Sequence, residues 1–198
     1  MMKLVAMLGL AAAISAASMP AHAASPKSEA ENTLVIMTKD GEIDVKLRPD
    51  LAPNHVKRIK QLARDHAYDG VVFHRVIDGF MAQTGDVEFG KEGSSGFSPD
   101  RAGMGGSKLP DLKAEFSKEP FDRGTVGMAR AQDPNSANSQ FFIMLADGHF
   151  LDGQYTVVGN VTKGMDVVDK IKKGDSQANG AVDDPDKMLT VTVAADQK

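Results

Sequence analysis

Two short segments hold side chains whose alternation could do chemistry. In Phe73-His74-Arg75, residues two apart share one face of an extended strand, so Phe73 and Arg75 are expected together. Met81 and Gln83 share a face in Phe80-Met81-Ala82-Gln83, and Gln140 and Phe142 do so in Gln140-Phe141-Phe142-Ile143. One set of faces is wholly apolar and suits a barrel interior. The other mixes Phe, Met and Gln with an arginine, a wall able to grip an apolar ring and orient an amide. His74 points away from Arg75 in this scheme and is expected as a satisfied interior histidine.

Other candidates fall away on spacing. His55 and His66 lie on one helical pattern, but eleven residues at 1.5 Å each set them roughly 16 Å apart, too far to share a metal. Asp183-Asp184-Pro185-Asp186 lacks the spacing of a calcium loop and reads as a solvated turn. Gly93-Ser94-Ser95-Gly96 is not the Gly-x-Ser-x-Gly elbow of a serine hydrolase. Asn160-Val161-Thr162 matches a glycosylation acceptor but falls in a strand. The chain has no cysteine, which excludes thiol catalysis and cysteine-ligated zinc. No metal or cofactor is expected.

The elements that must position these residues are readable from periodicity. Thr33–Thr38 and Ile43–Leu47 flank a Lys39–Glu42 turn and form a hairpin with one buried face. Pro53 suits the first turn of a helix carrying Val56, Ile59, Leu62 and Ala63, which ends before Asp69-Gly70. Val71–Val76, Phe80–Gln83, Thr125–Ala129, Gln140–Leu145, Thr156–Val161 and Met188–Val193 read as further strands. Met165–Lys173 is a second helix, stopped by Gly174. Residues 84–110 form a long Gly/Ser/Pro-rich excursion, of the kind that is usually functional or mobile. Many strands and two helices indicate a helix-capped barrel or sandwich.

Length and composition fit one domain. The chain has 198 residues. Residues 1–23 have the layout of a cleavable signal peptide: Lys3, an Ala/Leu-rich stretch over Leu4–Ala17, and small residues at Ala21-His22-Ala23. Residues 24–32 read as a flexible leader, 33–194 as the folded domain and 195–198 as a tail. Removing Lys3 from the 23 basic residues leaves 22 against 27 acidic ones, a net charge of −5. A mildly acidic chain without a basic block is a poor partner for nucleic acid or anionic membrane, and no stretch of the mature chain could span a bilayer. Periplasm is the expected location, with full secretion as the other possibility.

Three stretches, FHRVIDGFMAQTGD (Phe73–Asp86), GMARAQDPNSANSQFFI (Gly127–Ile143) and FLDGQYTVVGNV (Phe150–Val161), closely resemble the cyclophilins. The similarity covers essentially Thr33–Val193, in the family's order and spacing. It implies a mainly β fold, a closed eight-stranded antiparallel barrel capped by two helices. It implies peptidyl-prolyl cis-trans isomerisation without a cofactor, on unfolded or proline-containing polypeptides; a monomer is expected. Position by position, it implies a proline pocket of Phe80, Met81, Phe142 and Leu151. Arg75 matches the catalytic arginine and Gln83 the glutamine beside it. Ala129 and Arg130 match residues whose backbone lines the peptide groove, and Gln140 is a further groove residue. Gly103-Met104-Gly105-Gly106 resembles the Gly-rich loop of the adjoining pocket.

The sequence also departs from the family. Phe150 stands where many eukaryotic members have Trp and has no indole N–H to donate, which puts tight binding of cyclosporin in question. Tyr155 replaces a pocket histidine. Arg130 replaces a common Asn, and its side chain could favour acidic peptides. The function implied is assisted folding of exported proteins, with a non-catalytic proline-peptide binder or holdase as the alternative.

An X–Pro amide resists rotation because resonance gives its C–N bond partial double-bond character, with a barrier of roughly 18–20 kcal/mol. In the twisted transition state that resonance is lost and the nitrogen becomes a hydrogen-bond acceptor. A guanidinium is permanently charged and planar, so a fixed one can reward the twisted state over either planar isomer.

Overall fold

The computed structural model describes residues 25–197. The expected signal peptide, residue 24 and Lys198 lie outside the described residues. Eight strands form one antiparallel sheet: β1 (Thr33–Thr38), β2 (Gly41–Leu47), β3 (Arg75–Ile77), β4 (Met81–Thr84), β5 (Thr125–Met128), β6 (Phe141–Met144), β7 (Val157–Lys163) and β8 (Thr190–Val193). Their order across the sheet is β3-β4-β6-β5-β7-β2-β1-β8. The register slips between Asp44 and Val45 and again between Val126 and Gly127. Such bulges sharpen twist and curl a sheet on itself.

The curl stops short of the closed barrel that was expected. β3 and β8 are the two edges of the ladder. Among the described residues, isolated bonds rather than a ladder cross the gap between them, such as Gly70 N to Met188 O at 2.7 Å, Met188 N to Val71 O at 2.9 Å, and Phe73 N to Asp186 O at 2.8 Å. The reason is local. Asp184 has φ of 48° and Pro185 has no N–H, so this side of the seam cannot continue a regular ladder.

The concave side holds the main core. Leu34 and Ile36 of β1, Ile43, Val45 and Leu47 of β2, Phe141 and Ile143 of β6, and Val191 and Val193 of β8 are all buried there. The helix α2 (Pro53–Arg64) fills it with Val56, Ile59, Leu62 and Ala63. Its N-cap position is Ala52, which has no side-chain acceptor. Glu115 supplies one from the far loop, accepting from Asn54 N at 3.1 Å, His55 N at 3.1 Å and His55 Nδ1 at 2.7 Å. A carboxylate at a helix start satisfies orphan N–H groups and the helix dipole together. The second helix, α3 (Met165–Lys170), adds Val167 and Val168.

Two further expectations need correction. Two helices were expected, but Ser25 caps a further six-residue helix, α1 (Pro26–Glu31), making three α-helices among the described residues. Glu31 joins it to the domain through Lys60 at 2.9 Å and Arg64 at 3.0 Å. A 3₁₀ turn over Ala194–Asp196 runs from the end of the expected domain into the expected tail. The strand expected over Val71–Val76 forms only at its end, because residues 73 and 74 leave the ladder.

Candidate active site

The convex side of β4, β5 and β6 carries a second apolar cluster. Along β6, Phe141 and Ile143 face the main core while Phe142 and Met144 join this one, as a two-residue period requires. Met81, Phe121, Leu151 and Val157 complete it, with Phe80, Ala129 and Tyr155 packed at its margin. Phe142 is fixed from both sides. Phe121 stacks on it with ring centres 5.8 Å apart, and Tyr155 meets it edge-on, also at 5.8 Å. The close stack depends on Gly127, where a Cβ would sit 2.6 Å from both Phe121 and Phe142.

A cavity of about 280 Å³ opens over this cluster, lined by Arg75, Phe80, Met81, Gln83, Ala129, Arg130, Phe142, Phe150, Leu151 and Tyr155. Phe150 rides on the 3₁₀ turn His149–Leu151, is 66 % exposed, and leans on Phe80 at 5.4 Å between ring centres. A second cavity of about 410 Å³ adjoins it and shares Gln83, Ala129 and Arg130. Gly103 and Gln140 line this neighbour and not the first. The twelve expected site residues therefore converge on one groove of two compartments.

The Phe73–Arg75 pairing does not occur. Arg75 lies opposite Gln83 in the ladder, and Ile77 opposite Met81, all facing the groove side. Phe73 is fully buried in the main core. Its N–H pairs across the seam to Asp186, outside regular strand, so the two-residue period is reset before Arg75. His74 is interior but not satisfied: both ring nitrogens are buried without a partner among the described residues. Its ring lies under Gly103, where a Cβ would come within 2.7 Å of it. Burial lowers its pKa to about 4; Asp86 opposes that shift and Arg75 adds to it.

Arg75 is held by neutral groups. Nη1 donates to Gln83 Oε1 at 3.2 Å and approaches Met81 Sδ at 3.8 Å. Nε donates to Asn179 O and Nη2 to Asn179 Oδ1, both at 3.0 Å. No carboxylate lies within ion-pair distance of it among the described residues, so its charge is uncompensated. Partial burial lowers its pKa from the usual arginine value, yet a guanidinium stays protonated at any working pH.

Amide side chains continue from Arg75 into the second compartment. Gln83 Nε2 donates to Gln140 Oε1 at 3.0 Å, and Gln140 Nε2 donates to Gly103 O at 2.9 Å and Gly105 O at 2.8 Å. Asp86 grips the same loop from behind, accepting from Gly103 N at 2.7 Å, Gly105 N at 2.9 Å, Glu88 N at 3.0 Å and Phe89 N at 2.9 Å. The Gly-rich loop is thus clamped by its N–H groups on one side and its carbonyls on the other.

Arg130 folds back on its own neighbourhood. Its guanidinium donates to the carbonyls of Ala131, Gln132 and Gln154 and lies 4.5 Å from the Tyr155 ring centre. It forms a partition between the compartments more than an exposed hook for acidic peptides.

Asn179 and Asp86 escaped the sequence reading as site residues. The Asn179-Gly180 dipeptide signals a turn, but nothing local links it to an arginine 104 residues away. As for metals, Asp122, Asp147 and His149 bring ligand atoms within 4.8 Å of one another, but all are exposed and none lines either compartment. No helix among the described residues is long and apolar enough to cross a membrane.

Comparison with known proteins adds an independent line. Residues 33–193 match the family described as cyclophilin type peptidyl-prolyl cis-trans isomerase. The chain is 62 % identical over 188 residues to a probable peptidyl-prolyl cis-trans isomerase of Brucella suis, covering 95 % of each. It is 37 % identical over 153 residues to peptidyl-prolyl cis-trans isomerase B of Escherichia coli, covering 68 % of this chain and 80 % of that one. Among solved structures, a cyclophilin from Hirschia baltica superposes with a TM-score of 0.71 at 26 % identity, covering 85 % of this chain and 76 % of that one.

Proposed function

The chain belongs to the cyclophilin-type peptidyl-prolyl cis-trans isomerase family, and from that premise we propose that it speeds folding of exported proteins at X–Pro bonds, with Arg75 as its electrostatic element. It is a peptidyl-prolyl isomerase. What carries the assignment of Arg75 is a single observation: an uncompensated guanidinium stands fixed at the rim of an apolar pocket of about 280 Å³.

In this reading the proline ring enters against Met81, Phe142 and Leu151, with Phe80, Phe150 and Tyr155 as walls. The apolar surround holds the ring still and excludes water, which strengthens any charge–dipole contact inside. Arg75 Nη2 has one hydrogen without an acceptor among the described residues, since each of its other donors is engaged. That hydrogen is the candidate donor to the proline nitrogen or carbonyl as the amide twists. Because the arginine is already positioned, little reorganisation remains for the transition state. No bond to the enzyme forms. A pure proline-peptide binder would have no use for a cation kept free of counter-charge.

The backbone of Ala129 and Arg130 would carry the peptide past the pocket, and residues before the proline would reach the second compartment beside Gly103 and Gln140. Substrates are proline-containing or unfolded polypeptides, and the protein works as a monomer. Its place is the periplasm after removal of residues 1–23. Two measurements test the proposal. The mature N-terminus recovered from a periplasmic fraction should begin at Ala24, and the protein should shorten the proline-limited phase of refolding of an exported substrate. Binding of a proline peptide with no rate enhancement would favour the holdase alternative, and an intact leader on cytoplasmic protein would refute the location.

A further inference from the structure

Gln83 accounts for one edge of the Arg75 guanidinium; the opposite edge is held by a loop to which no role is assigned. That edge, Nε and Nη2, meets both acceptors of Asn179, the backbone carbonyl and Oδ1, each at 3.0 Å. The loop is well anchored for this purpose. Val76 N donates to Gly180 O at 2.8 Å and Gly174 N to Val76 O at 2.9 Å, so the loop docks on the edge of β3 that faces away from β4. Gly180 N in turn donates to Asp175 O at 2.7 Å and closes the loop on itself.

We propose that Asn179 is a positioning residue for isomerisation, a neutral two-point clamp that orients the Arg75 guanidinium without cancelling its charge. The residue type fits both demands. Its φ of 54° is left-handed, a conformation that asparagine tolerates better than most non-glycine residues. Its amide offers an acceptor 3.0 Å from Arg75 Nη2 but no formal charge. A carboxylate in the same place would match the fork geometry better and bind it more strongly, but would neutralise the charge that the twisted amide needs. With Gln83 on the other edge, the arginine is gripped by two amides and faces the pocket as a full cation.

This inference rests on Arg75 as the electrostatic element, so the experiment includes Arg75→Ala as a separate arm. Asn179→Gly keeps the left-handed backbone and its carbonyl while removing Oδ1; Asn179→Asp keeps the shape and adds charge. Turnover of a short X–Pro peptide is measured with rotation about the Arg75 Cζ–Nε bond, read from its guanidinium nitrogen resonances. Asn179→Gly is expected to lower kcat/KM about tenfold, the effect of losing one hydrogen bond to a charged group, with faster guanidinium rotation. Asn179→Asp should leave rotation slow and yet lower kcat/KM at least as much, a combination that a purely structural role does not produce. Turnover within twofold of wild type in either variant overturns the clamp, as does faster rotation in Asn179→Asp. If Arg75→Ala itself keeps its turnover, the assignment of the arginine fails and the clamp with it; if only that variant loses turnover, the clamp alone fails.

Discussion

Gln83 donates from Nε2 to Gln140 Oε1 at 3.0 Å, and this one bond joins the guanidinium on β3 to the Gly-rich loop of the second compartment. Arg75, Gln83, Gln140 and the Gly103 and Gly105 carbonyls form an unbroken line of donors and acceptors. Gln83→Ala removes the partner on both sides. We expect kcat/KM on a short X–Pro peptide to fall about tenfold, with thermal stability nearly unchanged because the groove is half exposed. Gln140→Ala, one step further from the arginine, should cost less than Gln83→Ala in the same assay.

Gly127 sets the position of Phe142. A methyl group there would approach both stacked rings to 2.6 Å. Overpacking of this kind costs roughly 1–3 kcal/mol, and one ring must move. Denaturant titration of Gly127→Ala should show that loss. Kinetics should show a raised KM for the proline peptide, because the ring that moves into the groove is Phe142.

His74 makes the fold acid-sensitive. Its pKa is about 4 in the folded protein, against about 6.5 when unfolded. Between these values the unfolded chain binds a proton that the folded chain refuses, so stability rises with pH across that window. The group contributes on the order of 3 kcal/mol of stability above pH 6.5 that is lost progressively towards pH 4. His55, also lowered by burial, acts in the same direction. Denaturation midpoints measured from pH 7 to 4 should fall for wild type and fall less steeply for His74→Phe, which keeps a ring beneath Gly103.

Arg130 was a candidate for recruiting acidic peptides, but its donors already serve three backbone carbonyls. A partly exposed ion pair adds at most about 1 kcal/mol. Replacing Ala by Glu before the proline should therefore change kcat/KM by less than roughly fivefold. Arg130→Ala should weaken peptide binding mainly by loosening Tyr155, visible as a raised KM for acidic and neutral peptides alike.

The groove was legible in the sequence wherever a strand was regular. Alternation in Met81–Thr84 and Phe141–Met144 placed Met81, Gln83 and Phe142 on one face, and the structure brings them together. The same rule failed at Phe73, where the chain leaves the ladder and the period restarts, a break that periodicity cannot foresee. The closed barrel came from resemblance, and the proline and left-handed aspartate at the seam keep β3 and β8 as edges. Glu115 capping α2 and Asn179 holding Arg75 are contacts between loops far apart in sequence. Such contacts leave no local pattern, since each residue alone reads as an ordinary surface polar group.

The central claim is that a fixed, uncompensated arginine beside the proline pocket lowers the rotational barrier. Its most direct test is kcat/KM of Arg75→Ala against wild type on a short X–Pro peptide, with circular dichroism to monitor the fold. Loss of one oriented donor predicts a fall of roughly 10²–10³-fold with an unchanged spectrum. Turnover close to wild type in a folded variant would contradict the account.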